Sequence, residues 1–412
     1  MLPNWAINLQ EKNKLRNSNL SIKKKEQEEK DKFTDDSNYS LKKINEKMNN
    51  LLKRSIINFY IKKQEQNSLQ IEDLQILYNS IMENSVEFKN ESWINYESFS
   101  KARESLPLKL KRFLKPSYFL RFKQNKKGEI ESANLLVVIM YMITFENNRI
   151  KLMKFDSEGN HRLNEIELRK FLLYEANTIG SLQEIPQPIK PLYLSIITKK
   201  IYFVLKKTHN KEIDIDEFAM SDVLEEFSNL KNAAKLSANE EKKNWFSIKS
   251  VMSIIQDFAR ISDNEDKLTK EQFERLGGVT NTFVDLLFQE LPTNRMTFDN
   301  FIDYVLASTY LSTNCIASLK YFWKVFDIKK NGKFDMFSLR FFFQEISQDL
   351  EKMKAKPINI DWIRDEIFDM INPKNRTYIT FNDIVDSKRG DNFFRILMNT
   401  EEFVEWEERE SN

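Results

Sequence analysis

One cysteine, Cys315, stands in 412 residues, so no intramolecular disulfide can form and the chain suits a reducing compartment. Histidine is almost as scarce, with His161 and His209 alone. These three residues cannot assemble a Cys/His zinc site, and neither a Cys-His nor a Ser-His catalytic set has convincing members. Seven glycines and nine prolines are few for this length. Gly128, Gly159, Gly332 and Gly390 never fall at the spacing of a phosphate-cradling loop, and Gly277-Gly278 reads as a helix C-terminal stop. The longest apolar run, 135–145, is about half of the roughly 20 residues a membrane-spanning helix needs. It predicts a helix wet on almost no face, buried between neighbours or under a partner. Met1-Leu-Pro-Asn-Trp5 lacks the charged and apolar regions of a cleavable signal. Neither sign of charge prevails: 64 Lys and Arg against 62 Asp and Glu leave +2, with no field to draw nucleic acid or an anionic membrane. Carboxylates are abundant, but abundance defines no acid/base pair. The expectation is a non-enzymatic cytoplasmic protein without a membrane span, with nucleus or cytoskeleton as alternatives.

Phenylalanine is plentiful, at 32 residues, and it marks a repeat. From Leu51 onward an amphipathic helix, a polar stretch, one extended apolar residue and a second helix recur. The extended positions are Ile94, Ile130, Leu163, Ile213, Leu268, Met296, Phe334 and Ile379. In an EF-hand the eighth loop residue pairs across a short ribbon with its counterpart in the next hand, so eight positions predict four paired units. Leu319, Phe322, Trp323 and Phe326, then Leu339, Phe342, Phe343 and Ile346, follow i, i+3, i+4, i+7 spacing on either side of one loop. The fold class is therefore all-α: tandem divergent EF-hand-like pairs in two lobes, with very short two-stranded ribbons. Residues 1–48, polar and centred on Ile22-Lys-Lys-Lys-Glu-Gln-Glu-Glu-Lys30, read as a largely disordered tail or solvated helix, or as a microtubule- or partner-binding arm. An N-terminal lobe follows over 49–232 and a C-terminal lobe over 240–412, hinged at the charged stretch 233–243. The proline-dense segment Ile185–Pro191 joins the third and fourth hands.

Only loop 156–167 carries ligand types at nearly every EF-hand position. Asp156, Glu158, Asn160, the Arg162 carbonyl, Asn164 through water and a bidentate Glu167 would give calcium its oxygens. His161 stands where glycine ordinarily makes the positive-φ bend, and Glu158 is long for its position, so binding is expected to be weak. Loop 327–338 starts with Asp327, Asn331 and Gly332, but Lys329 and Ser338 replace the third and twelfth ligands. Ile261 and Gln272 bound the loop 261–272, and Lys206 opens 206–217. Those hands read as structural. Three successive phenylalanines, Phe341-Phe-Phe343, cannot all face one core, so at least one belongs on a second surface; Trp406 is open to core or docking readings alike.

Several strings carry a resemblance: Asp365-Glu-Ile-Phe-Asp-Met-Ile-Asn-Pro-Lys374, Phe326–Phe334, Asn244-Trp-Phe-Ser247, Phe283–Glu290 after the Gly277 turn, Phe337-Ser-Leu339, Gly390-Asp391 and Trp406–Glu410. In that order they resemble the B-double-prime regulatory subunits of protein phosphatase 2A, most closely the short gamma form, over about residues 90–410. The resemblance implies docking on the HEAT-repeat scaffold and catalytic subunits, and a place at the centrosome, basal body or cortical microtubule arrays with microtubule-organising proteins. It also implies that acids of the calcium-regulated members have been lost here. A structural EF-hand-like protein of the microtubule cytoskeleton or axoneme is the rival, and a calcium sensor ranks third.

Overall fold

The computed structural model describes residues 36–66, 69, 71–183, 185–205, 212–231, 237–263, 265–354 and 359–410. Helices alternate with short antiparallel ribbons. The eight extended apolar positions form four pairs: Ile94 with Ile130, Leu163 with Ile213, Leu268 with Met296, and Phe334 with Ile379. All eight are buried, which is why a single apolar residue between polar stretches suffices to set each register. The first ribbon gains a third strand, Val86–Phe88 against Glu91–Ile94. Lys89 and Asn90 both take positive φ, the geometry of a two-residue hairpin turn, and so extend the ribbon beyond the expected two strands.

Helix initiation repeats with the same chemistry after four of the ribbon strands, whereas Glu131 makes no such cap before helix Ser132–Met153. The ninth loop residue caps the exit helix and the twelfth, at helix position N3, turns back to it. Thr269 with Gln272, Thr297 with Asn300 and Thr380 with Asp383 form full capping boxes. Asn164 and Glu167 do the same, exchanging two bonds of 3.0 Å. Each missing box removes on the order of 1 kcal/mol from a helix start.

Two compact units result: one holds Lys32–Glu175 and Asn210–Glu225, the other Ala176–His209 and Glu226–Asn412. This grouping cuts across the lobes read from the sequence, because residues on both sides of 233–243 fall in one unit. Helix Asp36–Gln66 begins inside the stretch read as tail; residues 1–35 lie outside the described ones. In the first unit Phe99, Phe113, Phe119, Leu110 and Leu114 gather against Leu135, Ile139 and Ile143 of helix Ser132–Met153. The opposite side of that helix leaves Val137, Val138, Met140 and Tyr141 exposed, so neighbours within the chain cover the run 135–145 on one face only. Helix Asp36–Gln66 also shows an uncovered stripe, Met48, Leu52, Ile56 and Phe59, while Ile61 is buried. No helix among the described residues is long and apolar enough to cross a membrane.

In the second unit, Phe326, Phe334, Phe342, Phe393 and Phe394 form a continuous aromatic cluster, with Phe326 stacked on Phe342 at 4.2 Å. Gly390 starts helix Gly390–Met398 beside it. A Cβ there would lie 2.6 Å from Leu319 and 2.8 Å from Ile384, so the Gly390-Asp391 string marks a close approach. Asn314 and Asp391 then exchange two hydrogen bonds, of 3.0 and 3.2 Å.

Candidate functional site

Loop 156–167 bends as an EF-hand loop without glycine at its sixth position: His161 adopts φ +62°, and its ring Nε2 lies 2.9 Å from Asp216 Oδ1. That contact helps hold a conformation that costs a side-chain-bearing residue on the order of 1 kcal/mol. Gly159 has φ +64°, and a Cβ there would collide with Ile57 Cδ1, so helix Asp36–Gln66 rests on this loop. Asp156 and Glu167 are buried. Asp156 accepts N–H groups from Gly159, Asn160 and His161 at 2.6, 3.3 and 2.9 Å. Glu167 accepts the Ser157 amide at 2.8 Å, the Ser157 hydroxyl, and the Asn164 amide at 3.0 Å.

The remaining expected ligands are placed differently. Asn160 accepts the Arg162 amide at 2.9 Å, and Glu158, exposed, takes a 3.3 Å bond from Asn160 Nδ2. Arg162 lies on the ribbon opposite Asp214. The donor types and their order suit a hard cation, but in this arrangement the carboxylates are engaged by the loop itself. Among the described residues no three His, Cys, Asp or Glu side chains converge as a metal-holding group. Lys206 and His209 lie outside the described residues.

A second constellation was not read from the sequence. Lys200, fully buried on helix Lys190–Leu205, donates to Glu226, and its ammonium lies 4.3 Å from the Phe246 ring centre and within 6 Å of Trp245 and Tyr310. Glu226 also accepts the Trp245 amide at 2.8 Å, while Asn244 Nδ2 donates to the Glu226 carbonyl at 2.7 Å. Tyr193 donates its hydroxyl to the Phe246 carbonyl at 2.7 Å, and burial pushes that hydroxyl's pKa up. Burial lowers the Lys200 pKa to about 8, against the opposing pull of Glu226. Asn244-Trp-Phe-Ser247 is thus a clamp around one ion pair whose lysine end is fully buried. A lone Lys199-Lys200 pair within an apolar helix was the available signal.

Of the three successive phenylalanines, Phe342 and Phe343 are 0% and 1% exposed and Phe341 38%, the division expected from helical spacing. Trp406 is buried beside Phe403, so its reading resolves to core. A cleft of about 370 Å³ lies between Leu287, Pro292, Asp303, Tyr321 and Val325, where burial raises the Asp303 carboxyl.

Fold and loops together define an all-helical protein of four paired EF-hand-like units. No family model matches the chain. It is 28% identical over 327 residues to the human B''-gamma regulatory subunit of serine/threonine-protein phosphatase 2A, covering 78% of this chain and 72% of that one. TON2 of Arabidopsis thaliana, a probable B''-type regulatory subunit of the same phosphatase, is 24% identical over 372 residues, covering 85% and 77%. A chain from a solved PP2A PR70 holoenzyme has a TM-score of 0.51 at 16% identity, covering 60% of this chain and 93% of its own. The chain is thus similar to the B'' regulatory subunits of protein phosphatase 2A, the family its motifs resemble.

Proposed function

We propose that this protein is a non-catalytic regulatory subunit of protein phosphatase 2A, which docks on the scaffold and catalytic subunits and directs substrate choice and location. Dephosphorylation belongs to the partner. The observation that carries this reading is similarity to the B''-type regulatory subunits along some four fifths of the chain, at 78–85% coverage. Uncovered apolar faces support it: Met48, Leu52, Ile56 and Phe59 on one helix and Val137, Met140 and Tyr141 on another are surface that a partner would bury. The proposed setting is cytoplasmic, at centrosome, basal body or microtubule arrays, with microtubule-organising proteins as further partners. Affinity capture of the full chain from its own cells, followed by mass spectrometry, tests the reading. Stoichiometric scaffold and catalytic subunits are expected; tubulin or ciliary proteins without them would favour the structural cytoskeletal alternative.

Calcium enters this proposal at one loop only. Loop 156–167 takes calcium weakly, because Glu167 must exchange its bonds to Ser157 for the cation. Titration calorimetry is expected to show one weak site that Glu167→Gln abolishes. Unchanged binding in the variant would place the site elsewhere.

A further inference from the structure

The loops of the C-terminal unit match loop 156–167 in hydrogen bonding but not in the chemistry that spans them. In loop 327–338 Asp327 accepts the amides of Asn331 and Gly332 at 3.1 and 2.9 Å, and Asn331 accepts that of Lys333 at 3.0 Å. The corresponding residues of loop 156–167, Asp156 and Asn160, make the same bonds. The frame that places oxygens round a cation is therefore present. What differs is position three: Lys329 Nζ reaches Asp335, at position nine, with a 2.6 Å contact. Position twelve is Ser338, which donates its amide to Asp335 at 3.1 Å. Burial pushes the Asp335 carboxyl up, yet Lys329 and the Ser338 amide outweigh it and hold it below the ordinary carboxylate range.

Two other loops of this unit are closed from within as well. Gln272, at position twelve of 261–272, donates to Asp263 at position three at 3.1 Å, and Arg275 reaches the same oxygen at 3.3 Å. Asp383, at position twelve of 372–383, accepts the Lys374 amide at 3.3 Å. In each case a link runs from the front of the loop to its back, the span that a divalent cation bridges in a metal-loaded hand.

We propose that the C-terminal unit supplies its own substitutes for the divalent cation, and that in loop 327–338 the Lys329 ammonium is that substitute. The fold implies calcium; these residues do not fit it, since Asp327 and Asp335 share the loop with Lys329, Lys330 and Lys333. Lys330 pairs with Glu290 and Lys333 lies 4.3 Å from the Tyr378 ring centre, so the other two charges have places of their own. The consequence is regulatory: the helix pairing of this unit is set permanently, and any response to calcium is confined to loop 156–167. The inference rests on loop geometry and stands whether or not the phosphatase partnership holds.

Full-length protein carrying Glu167→Gln, which silences the other loop, is the background for the test. Calcium titrations in it compare three proteins: Lys329 and Ser338 intact, Ser338→Glu, and Lys329→Asp with Ser338→Glu. The first two are expected to bind no calcium up to about 1 mM, the second because the ammonium still holds the site. The third completes the ligand set and is expected to bind one calcium at about 10⁻⁵ M or tighter, with an upward shift in Tm of several degrees. Should the third unfold in chelator, calcium is expected to restore its circular dichroism. Calcium binding by the background protein or by Ser338→Glu would overturn the proposal, as would the absence of both binding and calcium-restored folding in the third.

Discussion

Lys200→Ala is expected to destabilise the unit holding Ala176–His209 and Glu226–Asn412 by about 3 kcal/mol, the low end of the loss on removing one partner from a buried ion pair, because Glu226 keeps part of its solvent contact. Glu226 would keep its bond from Trp245 but lose the ammonium, and the Phe246 and Tyr310 rings would face a cavity. Lys200→Met with Glu226→Gln keeps the volume and removes both charges, so most of the loss is expected to be recovered. The charge also has a pH signature. The folded pKa is about 8 and the ordinary value 10.5, so between these the unfolded chain binds more protons than the folded one. Stability from this group therefore rises with pH through that window and is flat below it; over the whole window the gain is about 3 kcal/mol. Tyr193 and Tyr310, whose pKa values burial raises, oppose this above about pH 10, so the comparison is best made between pH 8 and 10. Chemical denaturation of wild type and Lys200→Met in this range reads the effect. Parallel pH profiles for the two would show that Lys200 is neither desolvated nor charged as described.

Phe342→Ala is expected to cost about 3–5 kcal/mol, and Phe341→Ala less than about 1 kcal/mol. Phe342 is enclosed, stacked on Phe326 and next to Phe334, whereas Phe341 meets solvent. Denaturation followed by the fluorescence of Trp323 and Trp406, both in the same unit, distinguishes them. Equal losses would mean that the helix is rotated from the described orientation. The Phe341→Ala protein, being folded, also shows whether this ring meets a partner: a binding defect in it could not be assigned to unfolding.

The features legible in the sequence were those with a local period. A lone apolar residue between polar loop and helix has one place to go, which is why all eight extended positions pair as expected. The same holds for the split among Phe341, Phe342 and Phe343. Association between distant segments left no such trace. Lys200 and Glu226 stand 26 residues apart, and Ala176–His209 groups with a unit that otherwise begins at Glu226. The third strand carries no such signal, because Lys89-Asn90 is not the usual glycine-bearing turn pair. The strings that carried the family resemblance prove mainly architectural. Asn244–Ser247 clamps the Lys200–Glu226 ion pair, Gly390 permits a close approach, and Trp406 lies in the core. They identify the fold because packing tolerates little change.

Reconstitution tests the regulatory-subunit account most directly: purified full-length chain is mixed with phosphatase 2A scaffold and catalytic subunits, and the products are weighed by size-exclusion chromatography with light scattering. One stable complex of the three proteins in equal ratio is the result the account predicts, with phosphatase activity absent from the chain alone. Elution of the folded chain apart from an intact scaffold–catalytic pair, with and without calcium, would contradict it.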